Sequence, residues 1–83
     1  MNLLTAATDS PRDVLTGVPI LTSMGGDELT VENFRGIIEY TECLIRFQSK
    51  CGQYKISGCG LTIEYYSENE MKIKGRITAI QYP

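Results

Sequence analysis

Eighty-three residues with 8 basic and 10 acidic side chains, no His, no Trp and a net charge of −2 leave room for one small domain. A 42% hydrophobic share excludes a disordered tail, and Lys and Arg scattered singly provide no electrostatic footprint for nucleic acid or an anionic membrane surface. Cys43, Cys51 and Cys59 form no C-x-x-C pair and have no His beside them, so no zinc or other metal site is expected, and their odd number argues against a secreted disulfide framework.

In chain order, residues 1–9 lack a clear pattern and show neither the basic start nor the long apolar core of a signal peptide. Nowhere does an apolar run approach the ~20 residues of a membrane-spanning helix. A soluble, cytoplasmic chain without direct membrane insertion is expected. Ser10, Pro11 and Asp13 stand in helix-start order, cap, first-turn proline and acidic residue, with Gly17 as a stop, which predicts one short helical turn in an N-terminal segment 1–17. A single β domain is expected over 18–83. Its first strand covers 19–24, with Pro19 at the start, and is followed by a turn at Gly25, Gly26 and Asp27.

From there the chain repeats itself. Residues 27–40, 52–65 and 69–82 align without gaps, with Ile at Ile38, Ile63 and Ile80, Tyr at Tyr40, Tyr65 and Tyr82, and a turn-forming residue at Asn33, Gly58 and Gly75. Gly, and less often Asn, tolerates the positive φ of a tight hairpin turn, so each unit reads as a hairpin folding on itself. That register faces Leu29 with Ile38, Tyr54 with Ile63 and Met71 with Ile80. All its inward positions are apolar except Gly36 and Thr78, while the alternate positions are mostly polar, as in a sheet with one buried and one wet face. The same register faces Glu28 with Glu39, like charges that need a neighbouring cation or a partner. Between the first two units, residues 43–49 alternate as another strand. A turn at Lys50 and Cys51, leading into Gly52, sets Phe47 across from Tyr54 and Ile45 across from Ile56. About eight strands result, and an apolar face must be covered, so the expected fold is all-β, a small antiparallel β-sandwich or flattened barrel. Gly26, Asn33, Gly52, Gly58 and Gly75 are its expected structural turns.

The run from Val18, Pro19 and Ile20 to Gly26, followed by V-E-N-F-R-G-I-I-E-Y over 31–40, resembles the YabP/YqfC family of sporulation proteins, nearer its YqfC branch. Further matches are Ile45-Arg46-Phe47, the G-x-hydrophobic-x-I-x-G-x-x-L-x-I pattern over 52–63, and a hydrophobic-x-I-x-G-x-I pattern over 71–77. The resemblance implies a protein made in the mother cell of an endospore-forming bacterium, with no known catalytic residues and with protein partners in the sporulation programme, a membrane-bound one among them. Phe34 departs from the family's frequent polar residue, and the cysteines lie outside its pattern.

Three functional classes compete. For an enzyme, the carboxylate pairs Glu28/Glu39 and Glu64/Glu70 would need a concave pocket, whereas they fall on the wet face, and a thiol at Cys51 would have only Lys50 to activate it. No catalytic residue and no cofactor are expected. For an interaction module, open strand edges offer unpaired backbone groups to a partner or to another copy of the chain. Glu32, Asn33, Phe34 and Arg35, dense in polar function around an apolar tip, together with Arg46, are the candidate partner-binding residues. The local alternative is that Asn33 serves the turn, Glu32 pairs with Arg35 and Phe34 folds onto the core. A small barrel binding an oligosaccharide or other small ligand is the third class. It needs aromatic side chains on an exposed face, whereas most of these fall on the inward parity. The expectation is a non-enzymatic assembly module of spore envelope morphogenesis, coat or cortex.

Overall fold

The computed structural model describes residues 17–83, and the expected helical turn at Ser10–Asp13 lies outside them. Six strands follow in order: β1 (Ile20–Met24), β2 (Glu28–Glu32), β3 (Phe34–Tyr40), β4 (Leu44–Ser49), β5 (Gly52–Tyr66) and β6 (Glu70–Gln81). All pairings are antiparallel, and the strands form one open sheet in the order β1-β2-β6-β5-β4-β3. Among the described residues there is no helix. The all-β class and the alternating apolar pattern agree with the sequence reading, whereas the expected β-sandwich or flattened barrel of about eight strands is, among the described residues, one open sheet of six.

The difference originates in the glycines. Gly58 and Gly75 were expected to tip two separate hairpins; instead both lie inside strands, and the second and third repeat units pair with each other as the long β5–β6 hairpin. A 15-residue extended strand measures roughly 45–50 Å. Yet Phe34, which lies level with Gly52 through Ser49, has its ring 5.3 Å from that of Tyr66 at the far end of β5. The hairpin is therefore bent back on itself. Register shifts at Ser57/Gly58, Cys59/Thr62 and Ile63/Tyr65 mark the bend, as bulges do in curved sheets. At the bend the backbones touch: a Cβ on Gly58 would meet the carbonyl oxygen of Arg76, and one on Gly75 would come within 2.5 Å of the carbonyl oxygen of Gly60. Gly75 also sits at φ +130°. The second hairpin therefore uses glycine for close approach and not for turning.

Asn33 holds the other corner. Its φ of 67° is the only positive value at a non-glycine among the described residues, as expected of Asn. It does not close a hairpin, however, because β2 pairs with β1 and β6 while β3 pairs with β4. Its N–H donates to Asn69 O at 2.7 Å and its Nδ2 to Val18 O at 3.2 Å, which fastens the corner to the β5–β6 turn and to the start of the chain's described part. Gly26, at φ 80°, and Gly52, at φ 130°, do serve the turns assigned to them.

The curled sheet buries Leu29, Val31, Phe34, Ile45, Phe47, Tyr54, Ile56, Leu61, Met71 and Ile73, with Leu21, Ile37, Ile63, Ile77 and Ile80 packed against them. Phe47 faces Tyr54 and Ile45 faces Ile56, the pairs read from the sequence; the Phe47 and Tyr54 rings stack at 5.0 Å. The pairs Leu29–Ile38, Tyr54–Ile63 and Met71–Ile80 do not form. Beyond Asn33 the face parity flips, and β3 carries register shifts between Phe34 and Gly36 and between Ile37 and Glu39. Phe34 and Ile37 thereby turn inward, and Ile38 is left 42% exposed.

Gly58→Ala and Gly75→Ala are each expected to lower unfolding free energy by more than about 1 kcal/mol, because neither backbone neighbour can retreat. Gly36→Ala, with nothing within 4 Å of its Cβ, should stay within about 0.5 kcal/mol of the parent. Urea denaturation of the three variants checks the contrast.

Candidate functional site

The expected partner-binding residues separate into two groups. Asn33 and Phe34 belong to the interior. Phe34 is buried, packed edge-on against Phe47 at 6.2 Å as well as against Tyr66, so it is not an apolar tip offered to a partner. The local alternative holds for both residues, except that no ion pair joins Glu32 to Arg35. Glu32 is half-buried at the end of β2 and lies between Ile20 and Glu70 in register. Arg35 is exposed on edge strand β3, at the first register shift, with no ion-pair partner among the described residues. Arg46 is drawn into its own wet-face arrangement: its Nε donates to Glu39 Oε1 at 2.8 Å and its Nη1 to Gln53 Oε1 at 3.1 Å. The structure thus keeps 32–35 contiguous and places Arg46 apart from them, opposite Glu39 further along β3.

The wet face satisfies most of its own charge. Lys72 Nζ lies 3.3 Å from Glu28 and 3.6 Å from Glu64, and Lys74 Nζ lies 3.8 Å from each of the same two carboxylates. Glu28 and Glu39, expected to face each other, are instead separated, Glu28 beside Lys72 and Lys74 and Glu39 beside Arg46. Glu64 and Glu70 likewise divide, Glu64 to the lysines and Glu70 to the hydroxyl of Tyr65, which donates to it at 2.8 Å. Partly exposed ion pairs of this kind contribute little stability individually, but they leave few charges on this face for a ligand. Among the described residues there is no cavity and no group of three or more potential metal ligands, and no helix is long and apolar enough to cross a membrane. All three cysteines are exposed and free.

The edges carry what the faces do not. Along one seam the chain nearly closes on itself, since Leu61 N–H donates to Glu42 O at 2.8 Å and Ile63 N–H to the Tyr40 hydroxyl at 3.1 Å. The use of a tyrosine side chain as a backbone acceptor was invisible to a reading by alternation. On the opposite seam, Gly75 and Ile77 donate to Asp27 O and Gly26 O, both at 3.1 Å. Strand β1 beyond that seam has β2 on one side and no strand on the other among the described residues. The sequence signal that could have singled it out is the absence of any charged side chain from 17 to 26.

With this geometry in place, comparison with known proteins gives the lineage. The model of the YabP family matches residues 20–83, nearly all of the described chain. A Bacillus subtilis (strain 168) protein, "Uncharacterized protein YqfC", is 33% identical over 79 residues, covering 95% of this chain and 85% of that protein. The chain belongs to the YabP family. No solved structure matches it.

Among the described residues three groups shift their protonation with folding. Burial raises the Tyr54 hydroxyl above 10.0, with the nearby Cys51 and Tyr82 adding to it. The hydrogen bond to Glu70 raises Tyr65 above 10.0, and the bond to Glu28 raises Lys72 above 10.5. A raised folded pKa means that the native state holds the proton more tightly, so each contribution is complete below the unfolded value and disappears as pH climbs through the folded one. Stability is therefore expected to fall as pH rises past about 10. Tyr54→Phe should flatten part of that fall in chemical denaturation at graded alkaline pH, and an identical alkaline slope would contradict burial as its cause.

Proposed function

We propose that this chain is a non-enzymatic assembly module of the sporulation programme, made in the mother cell and recruited to the developing spore envelope, coat or cortex, by protein partners. Membership of the YabP family and the resemblance to its YqfC branch support the programme. The observation that carries the mode of action is the strand edge of β1, uncharged and unpaired on one side among the described residues. A sheet edge presents regularly spaced N–H and C=O groups, and recognition through them needs neither a pocket nor a reactive side chain. The exposed Arg35 on β3 adds a charged contact at the other end of the sheet. A membrane-bound partner would bring the chain to the forespore surface from the cytoplasm.

Deletion of the gene from its endospore-forming host is expected to lower the yield of heat-resistant spores, and the tagged chain purified from sporulating cells should carry the same partner in repeated preparations. Arg35→Glu is expected to weaken that association while circular dichroism keeps its β signature. Normal spore yield after deletion, with the tagged chain recovered alone, would contradict the proposal.

A further inference from the structure

Strand edges are ordinarily kept from pairing by charge, internal proline, bulges or a covering element. The two ends of this sheet differ in that respect. Edge strand β3 carries Arg35 and Glu39 and two register shifts. The second half of β6, which extends past β2, is interrupted beside Ser57 and Gly58, where the Thr78 hydroxyl donates to Ser57 O. Among the described residues edge strand β1 has none of these devices: it pairs with β2 through five successive residues with no register shift, its only nearby proline, Pro19, precedes it, and residues 17–26 hold no charge. Its wet face presents Ile20, Thr22 and Met24, which lie beside Glu32, Thr30 and Glu28 of β2. Met24 is 59% exposed.

We propose that β1 pairs antiparallel with β1 of a second copy of this chain, about a two-fold axis at Thr22, joining two six-stranded sheets into one continuous sheet. This inference rests on the edge-recognition reading above and names the occupant of the edge. In that register Ile20 of each copy faces Met24 of the other, Leu21 faces Ser23, and Thr22 faces Thr22. Residues sharing a face remain on it, the exposed Met24 is covered by an isoleucine, and Thr–Thr is a favoured cross-strand pair. A charged partner segment would find no counter-charge along 17–26, whereas the segment is compatible with itself. The contact uses the same strand on both copies, so it closes at two, and the outer edges of the joined sheet are then the two guarded β3 strands. Two five-residue strands make a small interface, at the weak and exchanging end of the range.

Sedimentation velocity of the purified full chain, under reducing conditions and at concentrations up to about 1 mM, reads this directly. The expected result is a monomer–dimer equilibrium that Thr22→Lys, which sets two like charges face to face at the axis, weakens at least about 10-fold while the circular dichroism stays unchanged. Hydrogen exchange at residues 20–24 should slow as concentration rises in the parent and not in the variant. A monomer throughout overturns the proposal, as does a dimer indifferent to Thr22→Lys, open-ended growth beyond two, or protection of 20–24 independent of concentration, which would mean that residues 1–16 cover the edge. A monomeric chain that still recovers its partner from sporulating cells would sink this inference and leave the proposed function standing, with the β1 edge then open to that partner.

Discussion

The close approach of backbone to backbone at Gly58, Gly60 and Gly75 is the constraint from which the rest of the structure follows. A flat antiparallel sheet of six strands would expose its apolar face over its full width, with no helix among the described residues to cover it. Bending the longest hairpin where side chains are absent lets that face fold over itself. Leu29, Val31, Met71 and Ile73 from one half then share a core with Ile45, Phe47, Tyr54 and Ile56 from the other. Asn33 makes the matching corner, with its own N–H and side-chain amide both bonded. One chain segment turning at positive φ and one hairpin bending at glycine are together enough to close a core in so short a protein.

This solution determines what the surface can do. Folding one sheet over leaves two ends and, among the described residues, no second sheet to cap them, so backbone groups become available at the edges while one face buries the apolar core and the other pairs much of its charge. The Glu28, Glu64, Lys72 and Lys74 arrangement and the Arg46, Glu39 and Gln53 arrangement consume the polar chemistry of the wet face. What stays open is directional hydrogen bonding along a strand, which suits assembly.

Legibility from sequence followed the range of the interaction. The β4–β5 hairpin, with Phe47 opposite Tyr54 and Ile45 opposite Ile56, was readable because its turn at Lys50 and Cys51 is local and the alternation on both sides is regular. Burial of Leu29, Val31, Leu61, Met71 and Ile73 was readable for the same reason. Gly58 and Gly75 were misread because a glycine that turns a chain and a glycine that admits another backbone look identical in sequence; only the partner strand distinguishes them. The exposure of Ile38 and the burial of Phe34 were likewise hidden, since a register shift changes face parity without changing composition. Among the candidate partner-binding residues, Arg35 remains a surface group, while Asn33 and Phe34 owe their presence to the corner. The edge of β1 was missed because it is defined by what 17–26 lack.

The account stands on the hairpin's being folded back over β3 and β4, and a nuclear Overhauser measurement on the isotopically labelled chain tests that most directly. It predicts cross-peaks between the rings of Phe34 and Tyr66, which a straight hairpin would hold tens of ångströms apart, together with cross-strand peaks between Phe47 and Tyr54. Cross-peaks joining Leu29 to Ile38 and Tyr54 to Ile63, with none between Phe34 and Tyr66, would show three separate hairpins and contradict it.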